Sequence, residues 1–295
     1  MNLNTTMEKV LIQEPYYALQ VNNHVFRETV YGIVRRLHFL IKHIEHERQR
    51  HQLDVNEIRI LDVGCGTGVN ITVPLANVGY LVHGLDLDQP SLKRARQLTN
   101  NLPNVEFHGT LLNKTKFTQP FQVIICSEVL EHLMEPETLV QQMQDVLVDN
   151  GLLLVTVPNG YGYFEIERFF EDRIPRLNPV TDEFQKWFVK KYGHINLKQR
   201  HACEWKPEHW QLARTSLASD QTHYQRFTPS LINHVLTSQE FEIVEFRNRT
   251  FLAGNILSNL VRDWDNFLAW NGRIADRLPA WLCSGWMIAA RRVHI

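Results

Sequence analysis

Three glycines at alternate positions, Gly64, Gly66 and Gly68, follow directly on an apolar run containing Ile58, Ile60, Leu61 and Val63. No other stretch restricts the chain as strongly. The run has the length and composition of a buried strand. Beyond the glycines, apolar residues rise toward Leu75, as expected of a helix. Strand, glycine turn and helix make a βα unit that takes a phosphate or a nucleoside at the turn. Glycine is needed because the backbone must turn tightly and approach a ligand with no Cβ in the way. By itself the triplet also fits a tight turn without a ligand.

A second apolar strand, Tyr80 to Leu85, ends in Asp86. That acid falls at the tip of the neighbouring parallel strand, where the ribose hydroxyls of a bound nucleoside sit. A carboxylate accepting both hydroxyls gains charge-assisted hydrogen bonds of about 1.5–3 kcal/mol each. The spacing suits a dinucleotide or S-adenosylmethionine (SAM). Dinucleotide sites read G-x-G-x-x-G, whereas this turn reads G-x-G-x-G, with Asp62 just before it.

At these residues the chain resembles the class I SAM-dependent methyltransferases, whose first motif reads much like LDVGCGTG. The likeness covers Arg59 to Val157 well and the C-terminal third loosely. It rests on four motifs in order, DVGCGTG, GLDLD, SEVLEHL and VTVPN. It implies a doubly wound, Rossmann-like α/β fold, with a seven-stranded sheet that is mostly parallel and has an antiparallel edge. It also implies SAM as cofactor, held at Gly64, Gly66, Gly68, Asp86 and Glu128. Asp62 is the expected contact to the amino acid end of SAM, with packing at the turn as its other reading. Relatives often carry an acid after the third strand, where it meets adenine. Here the position is Thr110, so adenine recognition falls to Thr110, Asn113 or a backbone carbonyl.

The remaining chain divides into an N-terminal helical segment (1–57), a core (58–158), an insertion (159–222) and the C-terminal part of the core (223–295). Residues Met1 to Val21 look irregular. Val30, Ile33, Val34, Leu37, Leu40, Ile41 and Ile44 follow helical spacing, which predicts a long helix to about Arg50. Arg35, Lys42, His43, Glu45 and Glu47 then form its solvated face. Asp88 and Pro90 start a second helix, with Leu92, Ala95 and Leu98 as its apolar face. Strands are expected at Asn104–Gly109, Phe121–Cys126 and Leu152–Val157. A helix with Leu139, Met143, Val146 and Leu147 as apolar positions is expected to end at Gly151. Thr228 and Pro229 open a further helix, Phe241–Phe246 is a strand, Asn255–Arg277 a helix with Trp264 inward, and Ser284–Arg292 the last strand. Tyr161–Thr222 breaks the alternation and is rich in aromatics. A segment this long reads as an inserted subdomain, placed to act as lid or substrate pocket. His194, His201, Cys203 and His209 within it match no compact zinc pattern.

With 295 residues and a formal charge of −1, the chain has no global basic field to favour nucleic acid. Cys65, Cys126, Cys203 and Cys283 form no C-x-x-C pair, which suits a reducing cytoplasm. The N-terminus lacks the apolar core of a signal peptide, and Trp281–Ala290 is too short to span a bilayer. A cytoplasmic protein is expected, and the oligomeric state is not legible.

Glu128, Glu131 and His132, in S-E-V-L-E-H-L, follow the tip of the fourth strand. In an open parallel sheet that position faces both cofactor and substrate. The spacing brings Glu128 and Glu131 or His132 to one side of a helical turn. Two carboxylates and an imidazole make a set able to bind a divalent metal, and His223 returns toward the same face. The set resembles the metal ligands of small-RNA 2′-O-methyltransferases and the E-x-x-E-H segment of ubiquinone-biosynthesis O-methyltransferases. A metal at Glu128, Glu131, His132 and His223 would lower the acceptor's pKa. Without one, His132 or His223 is the candidate base. The bland reading is that Glu131 and His132 bond only to their neighbours.

The reading that best joins these features is in-line methyl transfer from SAM to an oxygen, or a nitrogen, of a small-molecule or lipid- or glycan-linked acceptor. A catalytically silent SAM-fold binding protein, a metal-dependent RNA 2′-O-methyltransferase and an NAD-dependent dehydrogenase are the competing readings. The last is disfavoured by the glycine spacing.

Overall fold

A computed structural model describes residues 10–13, 18–21, 24–163, 223–254, 257–258, 261 and 264–293. Of the expected insertion, residues 164–222 lie outside the described residues, as do His194, His201, Cys203 and His209.

Seven strands form the central sheet: β4 (Arg59–Val63), β5 (Leu81–Leu85), β6 (Val105–His108), β7 (Phe121–Ser127), β8 (Leu147–Pro158), β9 (Phe241–Asn248) and β10 (Gly285–Arg292). Their order is β6-β5-β4-β7-β8-β10-β9. Strands β4 to β8 pair in parallel, and β10 lies antiparallel between β8 and the edge strand β9. The expected Rossmann-like sheet with an antiparallel edge is therefore present. Each central strand is buried on both faces. Val123 and Ile125 of β7 join a core with helix α1 (Ile33–Arg50), whereas Ile124 and Cys126 join a second core with α4 (Pro136–Asp145) and α5 (Pro229–Thr237). A strand covered on both sides needs apolar residues at most positions, which is why these strands read as near-continuous apolar runs broken only at residues such as Asp62 and His83.

Helices α2 (Thr72–Val78) and α3 (Gln89–Leu98) complete the first two βα units. Asp88 caps α3 by accepting from Ser91 N–H at 3.0 Å, and Thr228 caps α5 by accepting from Leu231 N–H at 3.2 Å, as their sequences require. Helix α1 has no capping side chain at Gly32. The buried Glu28 carboxylate accepts instead from Val34 and Arg35 N–H at 3.0 and 2.9 Å.

Four expectations change. Residues 10–27 include a three-stranded antiparallel sheet, β1 (Val10–Gln13), β2 (Ala18–Val21) and β3 (His24–Arg27), of which the first two fall in the stretch to Val21 expected to be irregular; four-residue strands show too little alternation to be read. Helix α4 stops at Asp145, and Leu147 pairs with Phe121 at the start of β8. Gly151 therefore lies in an irregular strand, beside Asn150 at φ 56°, and does not end a helix. The polar positions of α1 are not all solvated, because the C-terminal strands cover them. Glu47 is fully buried and pairs with Arg291 at 3.0 Å, and His43 contacts Glu245 at 3.0 Å. Trp264, expected inward, is half exposed and precedes α6 (Asp265–Ala275). Among the described residues, no helix is long and apolar enough to cross a membrane.

Candidate active site

The C-terminal tips of β4, β5 and β7 open into one cavity of about 640 Å³. Gly64 and Asp86 line one side, Glu128 and His132 the other, and Leu111, Leu133, Leu139 and Tyr224 complete its rim. That is the place where an open parallel sheet takes its ligand, and the volume lies within the range of cofactor pockets.

The first wall is main chain. Gly64, Gly66 and Gly68 adopt φ of 74°, 54° and 72°, a region costly for any residue with a Cβ. A Cβ on Gly64 would collide with Val129, whereas one on Gly66 meets nothing within 4 Å. The first glycine is thus demanded by packing and the second faces open space. Gly64 and Cys65 N–H both donate to Leu85 O, at 2.7 and 3.1 Å, which ties the turn to β5. Gly66 N–H donates to Asp86 Oδ2 at 2.7 Å, and Asp88 N–H to Asp86 Oδ1 at 2.8 Å. Asp86 therefore stands over the glycine turn, in the cavity. Asp62 lies behind it, 2% exposed, accepting from Thr72 Oγ1 at 2.6 Å. Burial pushes its carboxyl up to about 7, against the Thr72 hydrogen bond.

The second wall is charged side chain. Glu128 adopts φ 58°, an unusual conformation for a residue with a side chain. Two attachments hold it there. Its N–H donates to Thr156 O at 2.9 Å, and its carboxylate takes Arg249 Nη1 at 2.7 Å and Thr156 Oγ1 at 2.8 Å. Arg36 Nη1 is 3.9 Å away and donates to Ser127 Oγ at 3.1 Å. Burial alone would raise the Glu128 carboxyl, but Arg249 and Arg36 outweigh it and hold it down to about 2. Three residues on, Glu131 is 2% exposed and shifted the opposite way. Burial, and then the Glu128 charge, keep its proton on well above the ordinary range. Two neighbouring carboxyls with opposed shifts form a site with one fixed charge and one transferable proton.

Glu131, His132 and His223 bring their ligand atoms within 4.8 Å of one another. The two imidazole centroids are 4.9 Å apart, and Glu131 Oε1 is 3.9 Å from His132 Nε2. Glu131 Oε2 is buried with no hydrogen-bond partner among the described residues. Glu128, expected in the same ligand set, is turned away into the Arg249–Arg36–Thr156 network.

Residues 35–245, well over half of the chain, match the family described as the methyltransferase domain. The chain belongs to the class I SAM-dependent methyltransferase family. A ubiquinone biosynthesis O-methyltransferase of Rickettsia typhi is 28% identical over 131 residues, 44% of this chain and 53% of the relative. One from Glaesserella parasuis is 31% identical over 141 residues, 45% of this chain and 59% of the relative. The methyltransferase chain thus spans just over half the length of these curated relatives. Among solved structures, the cyclase SpnF covers 85% of this chain and 81% of its own at 15% identity, with a TM-score of 0.49.

Several residues that shape this methyltransferase's cleft carry no local sequence signal. Arg36, Arg249 and Thr156 come from α1, the end of β9 and β8, and meet only in the fold. Gln225 is another. Its N–H donates to Glu131 O at 3.0 Å, and its side-chain amide donates to Leu133 O and Met134 O at 3.1 and 2.9 Å. It fastens the segment carrying His223 to the turn carrying His132. Thr110 does not line the cavity, whereas its neighbours Leu111 and Leu112 do. Cys65, Cys126 and Cys283 are unpaired, and burial raises each thiol, so they serve as small apolar residues.

Proposed function

We propose that this methyltransferase transfers the methyl group of SAM to an oxygen of a small-molecule acceptor, free or linked to a lipid or glycan. One observation carries the reading: the cavity that takes in Gly64 and Asp86 also takes in His132, so donor and acceptor can meet in one cleft. The O-methyltransferase names of the curated relatives support oxygen as the nucleophile. The sulfonium already activates the methyl group, so holding donor and nucleophile in line supplies most of the acceleration.

In this reading the open face of Gly66 receives the cofactor. Asp86 accepts its ribose hydroxyls, exchanging its bond to Gly66 N–H, while Gly64 and Gly68 keep the main chain close. Asp62 braces the turn from behind through Thr72. Glu128, a fixed negative charge, faces the cationic amino acid end. His132 or His223 takes the acceptor's proton as the new C–O bond forms and the S–C bond breaks, the general-base role open to an imidazole. Glu131, His132 and His223 also suit a divalent metal, since they converge and Glu131 Oε2 has no partner among the described residues. Such an ion would lower the acceptor oxygen's pKa.

Calorimetry tests the first half: SAM or S-adenosylhomocysteine should bind in the micromolar range usual for enzyme ligands, at about 1 μM–1 mM. Incubation of the enzyme with methyl-labelled SAM and a metabolite extract tests the second. Label should appear in a product one methylene heavier than its precursor. Absence of cofactor binding removes the whole reading. Cofactor binding without any labelled product leaves the silent binding protein.

A further inference from the structure

A second cluster of ligand-bearing side chains lies on the sheet, outside the cofactor cleft. In the parallel ladder between β5 and β6, His83 pairs with Glu106, and Leu85 with His108. Side chains alternate faces with period two, so His83, Glu106 and His108 share one face. His83 Nδ1 and His108 Nε2 are 3.1 Å apart. Glu106 Oε2 lies 3.6 Å from His83 Nδ1, and its Oε1 lies 3.8 Å from His108 Nε2. We propose that His83, Glu106 and His108 form a site for a divalent transition-metal ion of the zinc type.

The spacing fits that ion. Ligand bonds of about 2.0–2.1 Å in a tetrahedron separate neighbouring donor atoms by about 3.4 Å. The two ring nitrogens, 3.1 Å apart, lie close to that value, and one Glu106 oxygen faces each ring, so turning the carboxylate brings a single oxygen within reach of both. Phe117 and Phe121 form an apolar floor that limits the rings' freedom. Phe121 lies edge-on to His83 at 5.2 Å, and Phe117 edge-on to His108 at 5.1 Å. Glu106 stands at the mouth, 64% exposed, which leaves the remaining coordination position to water. Burial, with the Arg59 charge second, holds the His83 imidazole down to about 4, and burial lowers His108 as well. Arg59, over the Phe121 ring at 5.1 Å, and Arg96, bonded to Phe107 O at 3.1 Å, are the cations that face the cluster. Glu106 is the anion that offsets them.

The competing account is that the imidazoles only share a hydrogen bond, one ring donating N–H to the other. Zinc titration of the chelator-stripped full chain, in competition with a chromophoric chelator, separates the two. A His132→Gln, His223→Gln double variant disables the cleft cluster, the other such cluster among the described residues. That variant should still bind one zinc ion, and adding His83→Gln or His108→Gln should weaken it at least about tenfold. In the wild-type chain, imidazole ¹H–¹⁵N spectra should show His83 Nδ1 and His108 Nε2 shifting on zinc addition. That readout stands even if a variant does not fold. The proposal is overturned if the double variant holds no zinc, if His83→Gln and His108→Gln leave its affinity unchanged, or if neither ring's resonances move.

Discussion

Along the cleft, the wall made by Gly64, Gly66 and Gly68 is main chain, and the wall made by Glu128, Glu131 and His132 is charged side chain. The glycine wall is local. Its hydrogen bonds run to Leu85 and Asp86 on the adjacent strand, and its shape follows from backbone angles that favour glycine. The acidic wall is not local. Glu128 keeps its backbone angle and its charge because Arg36 arrives from α1 and Arg249 from the far edge of the sheet. A main-chain wall is robust to distant change and intolerant of a single added carbon. A side-chain wall has the opposite weaknesses.

Substitution should expose that contrast. The largest effect is expected for Arg249→Met, which removes a buried guanidinium and leaves the Glu128 carboxylate, 31% exposed at the cavity, without its closest partner. The cost is about 3 kcal/mol, the low end for a buried pair because the cavity leaves one partner partly solvated, and denaturant unfolding should show that loss although residue 249 lies far from the glycines in sequence. An unchanged midpoint would mean that the acidic wall does not depend on its ion pair. Gly64→Ala comes next, at about 2–4 kcal/mol, because strained backbone and overpacking against Val129 add. Cofactor binding by calorimetry should be lost with it.

A pH series on Asp62→Asn probes the brace behind the glycine wall. Folded Asp62 keeps its proton up to about 7, against an ordinary value of 3.8. The folded state then holds more protons than the unfolded chain between these values, so the wild type loses stability as pH rises through that window. Asparagine keeps an acceptor for Thr72 and carries no charge. The variant should therefore gain on the wild type by about 1–3 kcal/mol between pH 4 and pH 8. A constant difference in melting temperature would contradict the assigned shift. The smallest effect on stability, about 1 kcal/mol, is expected for Gly66→Ala, whose Cβ points into open space. The same variant should bind SAM poorly if, as proposed, the cofactor occupies that space. If Gly66→Ala proves as disruptive to folding as Gly64→Ala, the two glycines do not differ as the geometry requires.

The site was legible in unequal parts. Gly64, Gly66, Gly68 and Asp86 could be picked out because a βα turn compresses its requirements into a few consecutive residues. Glu131, His132 and His223 were identifiable as residue types, and the fold brings them together. Glu128 was grouped with them by spacing and by resemblance, and its carboxylate turns toward Arg249 and Thr156. Its nearest cations are 92 and 121 residues away in sequence (128 − 36 and 249 − 128). Gln225 carries no motif at all. Glu47 looked like a solvated position for a related reason, since the strand that buries it lies at the other end of the chain.

The sequence by itself determined the parallel core of the central sheet, the caps at Asp88 and Thr228, the glycine turn and the family, because each depends on periodicity or on neighbours a few residues apart. Only the tertiary structure decided which charges are buried, which carboxyl keeps its proton, and that a second histidine cluster forms across β5 and β6. Those outcomes depend on desolvation and on charge pairs between distant segments, and neither exists until the sheet has assembled.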